Sequence, residues 1–259
     1  MDILDKFIEQ ARKNVDGGYY KLPTRKGVVG RGRISLREKL VKGKFALIAE
    51  IKHAAPSGEY SFSGIDVEQT AILFKSAGAD AISVVVEPVI FKGSLGDIPL
   101  AVKVGLPVIF KDFVISKEQI KAASDLGADC ILIIVKVANR LGLGLDEFIR
   151  TAHSLGLEVL LECYDEAEMR MAMATDADIL GINNRDLQTL QVNLNRTRDI
   201  LRMFSRVGGI NTPVISESGI RSRRDAEFVK SAGASGMLVG TTLWLASDKR
   251  AKIAELKLG

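Results

Sequence analysis

One phrase recurs down this chain, and its spacing restricts the fold more than any other feature. SAGADAISVVVE (76–87) returns as DLGADCILIIVK (125–136) and again as TDADILGINN (175–184), and its Ala-Asp pairs are 49 residues apart each time. A looser fourth copy is SAGASGMLVGT (231–241). Every copy carries the same signals in the same order: the end of a helix, a Gly or Asp turn, then a β-branched apolar run.

Halfway between the copies lie four more apolar runs, FALIAEIK (45–52), LPVIFKD (106–112), LEVLLEC (157–163) and TPVISESG (212–219). That makes eight short strands. Helical patterns such as VEQTAILFKSAG, SKEQIKAASDLG, LDEFIRTAHSLG and RRDAEFVKSAG fill the gaps, several opening after Ser or Asp and closing at Gly. Strands that are apolar almost throughout belong to a parallel sheet covered by helices. Eight such units in 45–259 predict an α/β fold of the (β/α)8 TIM-barrel type, with 1–259 as a single domain. A doubly wound open sheet is the alternative, but the Gly-rich dinucleotide fingerprint is missing after the first strand. Residues 1–44 exceed what eight units need. They read as an N-terminal helical extension, one or two helices packed against a barrel end.

Charge decides which partners to expect. Residues 1–44 hold twelve Lys/Arg against five Asp/Glu, a net of +7, which leaves −3 for the rest of a chain whose total is +4. A basic arm invites nucleic acid. Here the cations are interleaved with acids, the nearby aromatics are only Phe7, Tyr19 and Tyr20, and no recognition motif is present, so no nucleic-acid partner is expected. No run reaches the roughly 18 apolar residues of a membrane helix, and the charged start MDILDKFIEQARKN lacks the apolar core of a secretory signal. A cytoplasmic protein without a membrane partner is expected, as a monomer or homodimer. Cys130 and Cys163 lie within apolar runs, and with only His53 and His153 besides, ligands for a zinc cluster are lacking. No metal is expected. His153, near a helix end, suits the helix dipole.

In a barrel of this kind the active site gathers at the C-terminal ends of the strands. Those ends read Glu50-Ile51-Lys52, Glu87, Lys111-Asp112-Phe113, Lys136, Glu162, Asn183-Asn184-Arg185, Glu217-Ser218-Gly219 and Gly240-Thr241. Alternation along a strand puts Glu50 and Lys52 on one face, and points Lys111 and Glu162 into the barrel with Ile109 and Leu160. Interior charges are costly unless paired, so an ion-pair plug is one reading of any single residue. Three lysines and three or four glutamates at successive strand ends suit acid–base work on an anion better. Lysines crowded by other cations would have lowered pKa values and give up protons near neutrality. Ser218-Gly219 and Gly240-Thr241 occupy the two loops where barrels commonly bind phosphate through backbone N–H groups. Ser57 could add a hydroxyl from the first loop.

Five motifs in register resemble the indole-3-glycerol phosphate synthase family: LIAEIKHAAPSG (47–58), FKDFVISKEQI (110–120), LLECYDEAE (160–168), GINNRDLQTL (181–190) and SESGI (216–220). The likeness runs from about residue 30 to 245, and an extra N-terminal segment also fits that family. It implies a carbon–carbon lyase of tryptophan biosynthesis. Such an enzyme decarboxylates, ring-closes and dehydrates 1-(2-carboxyphenylamino)-1-deoxyribulose 5-phosphate without a cofactor. By the same resemblance Lys111 is the general acid, Glu162 the general base, and Lys52, paired with Glu50, faces the substrate carboxylate. Asn183, Arg185 and Glu217 orient hydroxyls and lysines. Ser218, Gly219, Gly240 and Thr241 cradle the phosphate, and Phe91, Phe113, Leu132 and Leu187 wall the aromatic ring. The chain departs from the family pattern at Ala55, where a serine is usual, and at His53, which is read as a loop residue. Other readings of the same residues are a non-catalytic phosphate-ligand sensor and a Schiff-base aldolase. The aldolase would want its lysine on the sixth strand, where Asn183 stands. Phosphoribosylanthranilate isomerase would want a cysteine at the end of the first strand, and the tryptophan synthase α-subunit would not account for Lys52 and Lys111.

Overall fold

In the computed structural model, which describes residues 2–22, 32–42, 44–56, 58–62, 64–206 and 209–258, the repeated phrase has a mechanical meaning. Asp80, Asp129 and Asp178 each stand at the foot of one strand and grip the foot of the strand before it. Their carboxylates accept from the backbone N–H groups of Leu47 (2.7 Å), Val108 (2.8 Å) and Val159 (2.8 Å). Their own N–H groups donate back to the carbonyls of the same three residues. Each repeat therefore pins two neighbouring strands in register before the sheet ladder begins.

Those strands are β1 (Ala46–Ile51), β2 (Ala81–Val85), β3 (Val108–Lys111), β4 (Cys130–Ile134), β5 (Glu158–Cys163), β6 (Ile179–Asn183), β7 (Val214–Glu217) and β8 (Gly236–Val239). All pair in parallel with their chain neighbours, and β8 closes on β1. This is a (β/α)8 barrel, and the open-sheet alternative falls. The helices are α1 (Ile3–Asp16), α2 (Leu36–Lys42), α3 (Val67–Ala77), α4 (Asp97–Val102), α5 (Lys117–Asp125), α6 (Val135–Leu141), α7 (Leu145–Ser154), α8 (Glu166–Met173), α9 (Asn195–Ser205), α10 (Arg223–Ser231), α11 (Thr241–Leu245) and α12 (Lys249–Leu256). Their starts follow the cap chemistry in the sequence. Asp66, Ser116, Asp165, Ser222 and Asp248 each accept a backbone N–H from the first turn of the helix they open. Gly78 closes α3 at φ 107°, a left-handed conformation that glycine adopts without steric cost.

Alternation along the strands builds two separate cores. One face, with Leu47, Ala49, Phe110 and Leu161, packs outward against the ring of helices. The other, with Ile48, Ile109, Leu132, Leu160 and Ile215, fills the barrel. The N-terminal extension closes that inner core at both ends rather than at one. Leu36 and Leu40 of α2 pack under the strand feet, and the Glu158 carboxylate at the foot of β5 accepts from the Leu36 N–H at 2.8 Å. Leu4, Phe7, Ile8 and Ala11 of α1 join the same core from the opposite end, beside Phe113. The two helices therefore divide between the ends. Both cysteines are buried, and His153 sits in the last turn of α7 against Asp178. Among the described residues no helix is long and apolar enough to cross a membrane.

Candidate active site

The charged side chains that parity turns inward meet at the strand tops. Glu50 is buried and pairs with Lys52 at 2.9 Å. Across the mouth, Lys111 at the end of β3 stands 4.0 Å from Glu50, 3.8 Å from Glu162 and 3.7 Å from Glu217. These separations exceed hydrogen-bonding distance, so the ammonium is held by charge and not locked to one partner. Asn183 at the top of β6 donates to Glu162 Oε1 at 3.0 Å and accepts from the Arg185 N–H at 2.9 Å. That fixes one oxygen of Glu162. The other, together with both oxygens of Glu217, is buried without a hydrogen bond.

The electrostatics follow from this arrangement. Burial disfavours the ammonium of Lys111, yet Glu217, Glu162 and Glu50 outweigh it and hold the pKa well above that of an ordinary lysine. The lowered lysine pKa expected from the sequence is therefore wrong, because the neighbours of Lys111 are carboxylates and not cations. Burial also opposes ionisation of Glu50, but Lys52 and Lys111 overcome it and keep that carboxyl below its usual range. With Lys52 committed to Glu50, Lys111 alone serves two further acids. The surplus falls on Glu217, which burial, only partly offset by Lys111 and reinforced by Glu162 and Glu50, pushes up to about 8.

Glycine makes the convergence possible. A Cβ on Gly181 of β6 would stand 2.2 Å from Glu217 Oε1, and one on Gly240 would stand 2.3 Å from Glu50 Oε1. Neither close approach could be read from the sequence, because each is set by a side chain on another strand.

A cleft of about 1120 Å³, counted out to solvent, opens over these charges. One side is polar: Arg185, then Ser218 and Gly219 after β7, then Gly240 and Thr241 after β8. Ser218 takes φ 66° and Gly219 φ 84°, so the chain turns sharply there, and α10 begins only at Arg223. The other side is apolar, with Phe91, Phe113, Leu132 and Leu187. The structure also brings in Phe7 of α1, which no motif in the sequence assigns to the site. Its ring centroid lies 4.8 Å from Phe113 and 5.9 Å from Phe91. The signal was an aromatic on the apolar face of an amphipathic helix, which reports burial and not location.

Of the three lysines and four glutamates at the strand ends, two stay out of the cluster. The Glu87 carboxylate accepts from the N–H groups of Val89, Ile90 and Phe91 and from the Asn14 side chain, so it shapes the loop after β2. Lys136 falls on α6, which starts directly at the end of β4, and lies 4.0 Å over the Tyr164 ring and 3.9 Å from Glu168. His53 is bound to Asp97 at 2.9 Å, in keeping with a loop role. Ser57 lies outside the described residues. Among those described, no group of three or more His, Cys, Asp or Glu could hold a metal.

The protein resembles known ones along nearly its whole length. A family model described as indole-3-glycerol phosphate synthase matches residues 4–256. The indole-3-glycerol phosphate synthase of Petrotoga mobilis is 34% identical over 255 residues, covering 98% of this chain and 96% of that protein. That of Bacillus cereus is 37% identical over 257 residues, with 99% and 98% covered. Among solved structures, the N-acetylmannosamine-6-phosphate 2-epimerase of Clostridium perfringens superposes with a TM-score of 0.62 at 18% identity. It covers 82% of this chain and 93% of its own, and shows the fold alone. Sequence, barrel and cleft converge: this chain belongs to the indole-3-glycerol phosphate synthase family.

Proposed function

We propose that this protein is an indole-3-glycerol phosphate synthase, a carboxy-lyase of tryptophan biosynthesis working in the cytoplasm on a small phosphorylated substrate. The observation that carries the chemistry is Lys111, an ammonium without a close partner, standing among three buried carboxylates beneath an aromatic wall. Its raised pKa means that it enters the reaction protonated. The substrate is 1-(2-carboxyphenylamino)-1-deoxyribulose 5-phosphate. As its ring carbon attacks the carbonyl carbon, the carbonyl oxygen becomes an alkoxide, and Lys111 supplies the proton that makes it a hydroxyl.

The substrate carboxylate faces Lys52, and Glu50 holds that lysine in place. The carboxylate leaves as carbon dioxide, and its bonding electron pair restores the aromatic ring. In the dehydration step Glu162, aimed by Asn183, takes a proton from carbon through its unpaired oxygen while Lys52 gives a proton to the departing hydroxyl, which leaves as water, and solvent restores the proton that Lys111 gave. Arg185 and Glu217 orient the substrate hydroxyls and Lys111. Backbone N–H groups of the loops carrying Ser218, Gly219, Gly240 and Thr241 receive the phosphate, with Ser57 as a further donor. Phe7, Phe91, Phe113, Leu132 and Leu187 exclude water from the aromatic ring. The scheme needs no metal or nucleotide.

The test is to mix purified protein with the substrate, free of metal and nucleotide, and to follow indole fluorescence. Formation of indole-3-glycerol phosphate with release of carbon dioxide is expected. Substrate binding without turnover would make the protein a sensor and sink the reading.

A further inference from the structure

Arg185 leaves the top of β6 and enters a tight turn at once. It pairs antiparallel with Val192, the Asp186 N–H donates to the Gln191 carbonyl at 2.9 Å, and the Leu190 N–H donates to the Asp186 carbonyl at 2.7 Å. Leu190 takes φ 60°, a left-handed conformation that is unfavourable for leucine and persists only where the surroundings hold it. Its carbonyl accepts from the Arg185 guanidinium at 3.1 Å. The turn therefore folds back to hold the side chain of the residue that begins it. Arg185 lines the cleft, and its charge lies near enough to Glu50 to favour that carboxyl's ionised form.

Two contacts secure the turn. At its tip, the Gln188 side chain donates to the Asp2 carboxylate ahead of α1 at 2.6 Å. At its base stands Tyr164, which follows β5 and is not one of the residues lining the cleft. The Tyr164 hydroxyl donates to one Asp186 oxygen at 3.0 Å, and the other Asp186 oxygen accepts the Gln188 N–H at 2.7 Å. Tyr164 is itself held at every group. Lys136 lies 4.0 Å and the Arg196 guanidinium 3.6 Å from its ring centroid. Arg196 also donates to its hydroxyl at 2.6 Å and to its carbonyl at 3.1 Å, and its N–H donates to Glu168 at 2.8 Å. Charge-assisted bonds and ring contacts of this kind leave the phenol little freedom. What this fixed ring presents to the turn is one hydroxyl.

We propose that Tyr164 is a positioning residue for Arg185: through Asp186 it holds the turn whose Leu190 carbonyl aims the guanidinium into the cleft. The inference rests on the proposed function for the ligand that Arg185 meets, and not for the geometry. It also gives Lys136, which stays out of the charge cluster, a place in the site's support.

The probe is the alcohol made by reducing the substrate's carbonyl, which keeps the hydroxyls and phosphate but cannot ring-close. It would be titrated calorimetrically into the protein, Tyr164→Phe, Arg185→Ala and the double variant. Tyr164→Phe removes one oxygen and keeps the ring beside its two cations. Its Kd should rise roughly three- to tenfold, as for one net hydrogen bond, with KM for the substrate rising to match and kcat within about twofold. On top of Arg185→Ala the same change should move Kd by less than about twofold, because the group it acts through is gone. An equal loss in both backgrounds, as a purely structural role would give, would overturn the proposal, and so would an unchanged Kd in Tyr164→Phe. Amide exchange at Gln188 and Leu190 reads the turn without any ligand and should quicken in Tyr164→Phe; unchanged exchange would overturn the proposal as well. An unaltered protein that binds no alcohol would sink the proposed function, leaving the exchange to decide whether Tyr164 holds the turn.

Discussion

Lys111 owes its position to three carboxylates at 3.7–4.0 Å, and each of those acids owes its position to something else. Glu162 is fixed by Asn183, Glu50 by Lys52, and Glu217 by the space left at Gly181. Gly181→Ala should therefore displace the Glu217 side chain, which can swing, more than it disturbs the backbone. We expect kcat/KM to fall at least about tenfold with a stability loss near the low end of the roughly 1–3 kcal/mol of overpacking. Near-normal activity with a large fall in Tm would contradict this. Glu217 also sets a pH dependence. Its folded pKa, about 8, lies above its ordinary value of 4.5, so it favours folding fully below pH 4.5, and that contribution is lost as pH rises through 8. Glu217→Gln should flatten the fall in Tm across that interval, each kcal/mol recovered at pH 8–9 being worth about 2–4 °C, and it should lower activity. An unchanged slope in thermal melts would count against the assignment. The four charges Glu50, Lys52, Lys111 and Glu162 could be read from the sequence because strand parity is local. Gly181 could not, since its meaning comes from the Glu217 side chain on another strand.

At the scale of elements, the eight strands were legible because apolar runs recur along the chain, three of them after an Ala-Asp pair at fixed spacing whose acid does the same work in each copy. Lys136 shows where that reading stops. The sequence extends the apolar run to it, but the chain turns helical at Val135 and carries the lysine away from the mouth to Tyr164. The location of α1 was equally hidden: a helical period identifies a buried face and not the surface it meets. In the structure Phe7, Phe91 and Phe113 form one wall, so α1 is part of the cleft. Phe7→Leu keeps an apolar side chain of similar size and should cost less than about 1.5 kcal/mol of stability. It should raise KM for the substrate by more than it lowers kcat. Steady-state kinetics with equal loss of both, or with no change, would remove α1 from the site.

For the whole molecule, the division of labour is between a closed end and an open one. Leu36 and Leu40 seal the strand feet, where the buried Asp129 carboxylate is hydrogen-bonded, whereas the strand tops carry buried carboxylate oxygens without hydrogen bonds and a cleft roofed in part by α1. Buried carboxylate oxygens without hydrogen bonds, one on Glu162 and both on Glu217, are unfavourable for folding. Their retention at the open end, and not at the sealed one, is what a reaction site requires. In the proposed function this set of carboxylates keeps one ammonium loaded beside the substrate. The measurement that tests it most directly compares Lys111→Ala with the unaltered protein, reading single-turnover rates by indole fluorescence and substrate affinity by calorimetry. The rate is expected to fall by about 10²–10⁴, while Kd changes by less than about tenfold. A rate within a few-fold of normal, or a loss that lies wholly in Kd, would contradict it.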